Sequence, residues 1–157
     1  VMIHFVKGNL LDSSCDYICH QVNCRGVMGA GIARQIRDRW PEVFISYNAY
    51  CNRNNRDPRL MLGNIWGVQV TTNCVNRWVV NMFAQNDYGY NGSRFTSYDA
   101  FAKCLESMRD RLPKDKTIGF PKGIGCGLGG GDWEIILRMI EMTLGDTHEV
   151  YIYELEV

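Results

Sequence analysis

Residues Gly123 to Ile136 read GIGCGLGGGDWEII, and six of the first nine are glycine. Glycine is the poorest helix former after proline and loses the most conformational freedom on folding. So much of it in one place needs a purpose beyond chain reversal. The stretch follows TIGFPK (117–122), which reads as a short strand, and leads into Trp133, Ile136, Leu137, Ile140 and Leu144 on one face of a helix. It is therefore a strand-to-helix loop. A second lies upstream, where CDYICHQVNC (15–24) reads as a strand buried on both faces. There RGVMGAGIARQIRDRW (25–40) feeds three glycines into a helix that Pro41 ends or interrupts.

The rest of the chain alternates in the same way. MIHFVKGNL (2–10) reads as an opening strand ended by Gly8, and PEVFISYNAYC (41–51) as a helix with Pro41 in its first turn. NRNNRDP (52–58) is polar turn material, after which LMLGNIWGVQVT (60–71) and RWVVNMFAQ (77–85) read as strands joined by a turn at 72–76. NDYGYNGSRFT (86–96) is a loop. Tyr98, Phe101, Leu105, Met108 and Leu112 recur at helical spacing, and EVYIYEL (149–155) closes the chain as a strand. There is no internal repeat or linker, so one domain over 1–157 is expected. Its expected architecture is a three-layer α/β/α arrangement with helices on both sides of a mixed, largely parallel sheet.

Composition narrows the function classes. With 157 residues, nearly half of them apolar, the chain is long enough to bury a sizeable core. No apolar run reaches the roughly 18 residues that span a bilayer, and the first residues lack a signal-peptide profile, so no membrane partner is expected. Seven cysteines without a C-x-x-C pair predict neither a disulfide framework nor a zinc site, and place the chain in a reducing, cytoplasmic compartment. Lysine plus arginine equals aspartate plus glutamate, which argues against a duplex nucleic-acid binder.

Ligands of layered α/β folds collect at the carboxyl ends of strands, where both glycine-rich loops lie. A helix N-terminus offers unsatisfied N–H groups and partial positive charge, and glycines let the backbone approach phosphate oxygens. Two such loops, at 25–31 and 123–131, are suited to grip a pyrophosphate from both sides without lysines. Neither is a P-loop, because G-x-x-x-x-G-K-[ST] is absent, and the first strand is followed by KGNLLDS instead of a dinucleotide fingerprint.

KGNLLDSSCDYICHQVNCRGVMGAGIARQI (7–36), the NMFAQ strand end (81–85) and GIGCGLGGGDW (123–133) together resemble the macrodomain family of ADP-ribose-binding, ADP-ribose-1''-phosphate-processing proteins. Order and spacing match across nearly the whole chain. The GCGL…W loop is most similar to the branch of terminal ADP-ribose protein glycohydrolases and DNA ADP-ribosyl glycohydrolase antitoxins. The resemblance implies ADP-ribose or an ADP-ribosylated substrate as partner and no cofactor or metal, and a monomer is expected. It places adenine at Gly8, Asn9 and Leu10, with Asn9 standing where the family carries an acid. Asn23 faces the distal ribose, and Gly29, Ala30, Gly31 and Ile32 form the first phosphate loop. Gly123, Ile124, Gly125, Cys126, Gly127 and Leu128 form the second, with Phe83 as an apolar wall.

The resemblance also implies catalysis. Asp132 at the helix start is by itself a capping residue, but the related glycohydrolases carry an aspartate before the tryptophan that orients the distal ribose and acts in acid–base work. Asp132 is therefore the first catalytic candidate. The protein-deacylating branch also uses a lysine near the NMFAQ-type strand end, where this chain has Gln85, which can neither form a sugar adduct nor move a proton. Arg94 stays protonated and only orients or stabilises charge. His20 matches a histidine of the ADP-ribose-1''-phosphate phosphatase branch and is the second catalytic and ligand candidate, although strand alternation sets it opposite to Asn23. The loop at 86–95 reads as a solvated turn, with Tyr88 and Tyr90 as its candidates to stack over a bound ribose, whereas Trp133 and Phe101 are assigned to the core. The expected function is hydrolysis of an ADP-ribosyl derivative. ADP-ribose-1''-phosphate phosphatase action and non-catalytic ADP-ribose reading are the alternatives.

Overall fold

A computed structural model describes residues 3–156. Met2 of the expected first strand and the ends of the expected domain, residues 1 and 157, lie outside them. Among the described residues six strands form one sheet in the order β1-β6-β5-β2-β4-β3. They are β1 (Ile3–Lys7), β2 (Tyr17–Val22), β3 (Ile65–Thr72), β4 (Val75–Phe83), β5 (Thr117–Pro121) and β6 (Glu149–Glu154). Every neighbouring pair is parallel except β3 and β4, a hairpin turned at Asn73 and Cys74, both of which take positive φ. The mixed, largely parallel sheet read from the sequence is the one observed.

Helices cover both faces, because parallel strands buried on two sides require it. On one face α4 (Tyr98–Arg111) and α5 (Trp133–Leu144) pack Phe101, Leu105, Met108, Ile136 and Ile140 against Cys19, Val80, Met82 and Phe120. On the other α1 (Gly31–Arg39) and α2 (Pro41–Arg53) pack Ile36, Val43 and Tyr47 against Ile18, Val22, Val79 and Phe83. The alternation of Ile18 and Val22 with Cys19 assigns each face of β2. His20 shares the Ile18 face, opposite Asn81 of β4 in register.

Two local departures have capping as their cause. Asp57 accepts a hydrogen bond from the Arg59 amide and Pro58 takes the first helical position, so Pro58–Met61 forms a short helix, α3. The strand expected from Leu60 begins only at Ile65. Likewise Asn9 accepts from the Leu11 amide at 2.9 Å and starts a 3-10 turn over Leu10–Asp12.

That turn is pressed onto β5 at Gly119, where a Cβ would stand 2.6 Å from Leu10 Cδ1 and 2.9 Å from Cys15 Sγ. Both neighbours are buried and have little room to yield. Gly119→Ala is expected to destabilise the fold by about 1–3 kcal/mol through overpacking. Urea unfolding of the variant checks this, and an unchanged midpoint contradicts the contact.

Candidate functional site

Because β1, β6, β5, β2 and β4 run parallel, the loops that follow them meet along one edge of the sheet. A cleft of about 710 Å³ opens there. One end is bounded by Gly8, Asn9 and Leu10 together with Tyr153, Glu154 and Leu155. Its middle runs between Ala30–Ala33 on one side and Gly123, Gly125 and Gly127–Gly129 on the other. A smaller pocket of about 120 Å³ adjoins the far end. The two share Gln21, Ala30, Ala33, Gln85, Leu128 and Gly129, and the smaller adds Asn23, Gly29, Tyr88 and Tyr90.

The first wall is the start of α1. Its N-cap, Ala30, has no side-chain acceptor, and the amides of Gly31, Ile32 and Ala33 have no partner among the described residues. The helix therefore presents uncapped N–H groups and its positive dipole end to the cleft. The second wall is the 123–131 loop, folded back on itself by Cys126 N to Gly123 O at 2.8 Å and Gly131 N to Gly125 O at 2.8 Å. Phe95 N and Thr96 N both donate to Gly129 O, and Thr96 Oγ1 donates to Gly125 O at 2.7 Å. The amides of Gly127, Leu128 and Gly129 have no partner among the described residues and belong to cleft-lining residues. Anion-binding capacity thus comes from main chain on both sides.

Side-chain charge is muted. Lys122 and Lys7 both donate to Glu154 at the Gly8 end, and these bonds hold the Glu154 carboxyl down to about 2. At the other end Asn23 is engaged in its own loop. Its Oδ1 accepts from Arg25 N at 2.9 Å and from Tyr47 Oη at 2.8 Å, and its Nδ2 donates to Val27 O at 2.9 Å. Between the ends, Gln21 Nε2 donates to Gln85 Oε1 and to Thr96 Oγ1.

Most of the residues expected around a ligand line these cavities: Gly8, Asn9, Leu10, Asn23, Gly29, Ala30, Gly31, Ile32, Gln85, Gly123, Ile124, Gly125, Gly127 and Leu128. Four do not. His20 is fully buried in the sheet, with Nε2 2.6 Å from Asn81 Oδ1, and burial lowers its pKa to about 4. Alternation along β2 turns it to the α2 face, away from the cleft. Phe83 is buried beside Tyr47, ring centroids 5.8 Å apart, and belongs to the core. Cys126 turns its thiol to Ile124 O, and burial, aided by Asp132, pushes it up to about 11. Asp132 is exposed and caps α5 by accepting from Glu134 N at 2.9 Å, while its own amide donates to Tyr98 Oη. One oxygen of its carboxylate is thus engaged at the helix start.

The reverse also occurs. Trp133, assigned to the core, packs partly against it and also lines the cleft. Tyr153, Glu154 and Leu155 were legible only as the end of a strand, since their place beside Gly8 depends on β6 pairing with β1. Gln21 carried a signal, being polar within an apolar strand, but its partners lie 64 and 75 residues away.

A mixed sheet between two helical layers, with an anion-accepting cleft at its strand ends, defines a ligand-binding α/β domain. The Macro domain family profile matches residues 19–140, and the chain belongs to the macrodomain family. It is 28% identical over 155 residues to a DNA ADP-ribosyl glycohydrolase of Thermus aquaticus, covering 98% of this chain and 41% of that protein. It is 26% identical to an ADP-ribose 1''-phosphate phosphatase of Debaryomyces hansenii, covering 85% and 89%. The chain spans about two-fifths of the length of the glycohydrolase relatives it matches. Among solved structures, Thermosipho africanus DarTG in complex with ADP-ribose shares the fold with a TM-score of 0.79 at 19% identity, covering 96% of this chain and 41% of that one. Among the described residues no helix is long and apolar enough to cross a membrane.

The burial of His20 has a consequence for stability. Its pKa falls from 6.5 to about 4 on folding, so the unfolded chain binds more protons between those values. Stability from this group is complete above pH 6.5 and is lost as pH falls towards 4, by roughly 3 kcal/mol in all. Chemical unfolding of wild type and His20→Gln across pH 4–7 is expected to show a shallower slope in the variant. Equal slopes contradict the burial.

Proposed function

We propose that this macrodomain binds ADP-ribose along the cleft and hydrolyses an ADP-ribosyl derivative. The observation that carries the reading is the pair of facing main-chain walls, at 30–33 and 127–129, with amides free to hold a diphosphate. In this reading the adenosine end lies toward Gly8, Asn9, Leu10 and Tyr153, and the distal ribose enters the small pocket beside Asn23, Tyr88 and Tyr90. Asn9 keeps a second lone pair on Oδ1 and its amide protons for the base, although one lone pair is spent on the 3-10 turn. The names of the relatives, a DNA ADP-ribosyl glycohydrolase and an ADP-ribose 1''-phosphate phosphatase, support hydrolysis at the distal ribose.

Among the described residues no carboxylate, imidazole or ammonium group lines the small pocket. The chemistry we propose is therefore substrate-assisted. Water adds to C1'' as the bond to the leaving group breaks, a phosphate oxygen of the bound diphosphate takes the water proton, and the leaving group receives it. The chain's part is to hold the diphosphate and ribose in one geometry. The same absence favours a second reading, an ADP-ribose reader without hydrolysis. The phosphatase alternative loses the residue that recommended it, because His20 does not reach either cavity.

Isothermal titration with ADP-ribose, AMP and NAD tests the binding. A micromolar complex with ADP-ribose that AMP does not match is expected. Gly127 lines the cleft, has no positive φ, and a Cβ there meets nothing within 4 Å. Gly127→Leu should accordingly leave stability within about 0.5 kcal/mol while lowering ADP-ribose affinity at least about tenfold. No binding of ADP-ribose to the wild type at millimolar concentration overturns the reading. Incubation with ADP-ribosylated DNA and ADP-ribosylated protein then separates hydrolase from reader.

A further inference from the structure

Gln21, near the carboxyl end of β2, lies at the seam of the cleft and the small pocket and lines both. Its Nε2 donates to Gln85 Oε1 at 2.7 Å and to Thr96 Oγ1 at 2.8 Å. Each acceptor is fixed by a donor bond of its own. Gln85 Nε2 donates to Asp87 O at 2.8 Å, and Thr96 Oγ1 gives its single proton to Gly125 O at 2.7 Å. With both neighbours able only to accept, the Gln21 amide has one permissible orientation.

That orientation leaves Oε1 buried and without a partner among the described residues. A Cβ at position 125 would approach it to 2.7 Å, so Oε1 lies directly under the Gly125 backbone of the second wall. A buried acceptor with no donor is costly, and a ligand that supplies one recovers the cost. Gly125 lines the cleft and puts no side chain over Oε1, so a shift of the Gly125 backbone is all that a ligand donor requires to reach it in this proposal. Phosphate oxygens cannot serve, since they only accept. In the ligand proposed above, the donors nearest this seam are the hydroxyls of the distal ribose.

We propose that Gln21 is a specificity-determining residue that accepts a hydrogen bond from a distal-ribose hydroxyl and so separates ADP-ribose from ADP. The inference rests on the ADP-ribose reading. Titration of ADP-ribose and ADP against wild type, Gln21→Ala and the near-isosteric Gln21→Met tests it, the Met variant preserving volume under the loop. Wild type should bind ADP-ribose more tightly than ADP. Both variants should lose about tenfold in ADP-ribose affinity while ADP affinity stays within about twofold. Equal losses for both ligands would reduce Gln21 to a support for the loop and overturn the proposal, as would no loss for either. A wild type that binds ADP-ribose no better than ADP overturns it too. A wild type that binds neither ligand overturns the functional reading, and this inference with it.

Discussion

The carbonyl of Gly125 is the contact on which the site depends. It accepts from Thr96 Oγ1 and from the Gly131 amide, at 2.7 and 2.8 Å, and so folds the 123–131 loop back against the segment before α4. The closeness of that fold excludes side chains. A Cβ at Gly129 or Gly131 would stand 2.7 or 2.8 Å from the Gly125 oxygen, and one at Gly130, with φ of 74°, would meet Ser93 O at 2.8 Å. The glycine excess therefore has two separate causes. Gly129, Gly130 and Gly131 let the loop pack on its neighbour, whereas Gly123 and Gly127 border the cleft with open space where a side chain would stand. Packing sets the second wall in place, with its unpartnered amides on residues that line the cleft across from the start of α1.

A neutral chain and an anion cleft are compatible for the same reason. The lysines at the cleft, Lys122 and its neighbour Lys7, are both committed to Glu154. The positive potential that remains comes from the uncapped start of α1 and from loop amides held in place by the fold. The contrast between the two helix starts is informative. Ala30 leaves α1 open, while Asp132 closes α5 with its own carboxylate. Of the two, α1 is the helix that brings an uncapped N-terminus to the cleft.

The sheet and its covering helices were legible because strand and helix periods in this sequence are strong and alternate. The two glycine-rich loops were legible because their position between strand and helix has a physical use. What the sequence left open was which way these side chains turn and with what they pair. Asp132 precedes a tryptophan in a ligand loop, and one oxygen of its exposed carboxylate accepts from the Glu134 amide at the start of α5. His20 and Phe83 sit on strands that lead to the site, but alternation turns both into the α2-side core. Gln21 gains its meaning from Gln85 and Thr96, which no local pattern connects to it. Tyr153 reaches the cleft only because the last strand pairs with the first.

The most direct test is a titration of the 15N-labelled protein with ADP-ribose, followed by amide chemical shifts. If main-chain donors of both walls hold the diphosphate, the largest shifts fall on Gly31, Ile32 and Ala33 and on Gly127, Leu128 and Gly129, with little change at Asn81 beside the buried His20. Shifts confined to the Lys7, Lys122 and Glu154 end, with both walls unmoved, would contradict recognition by the backbone.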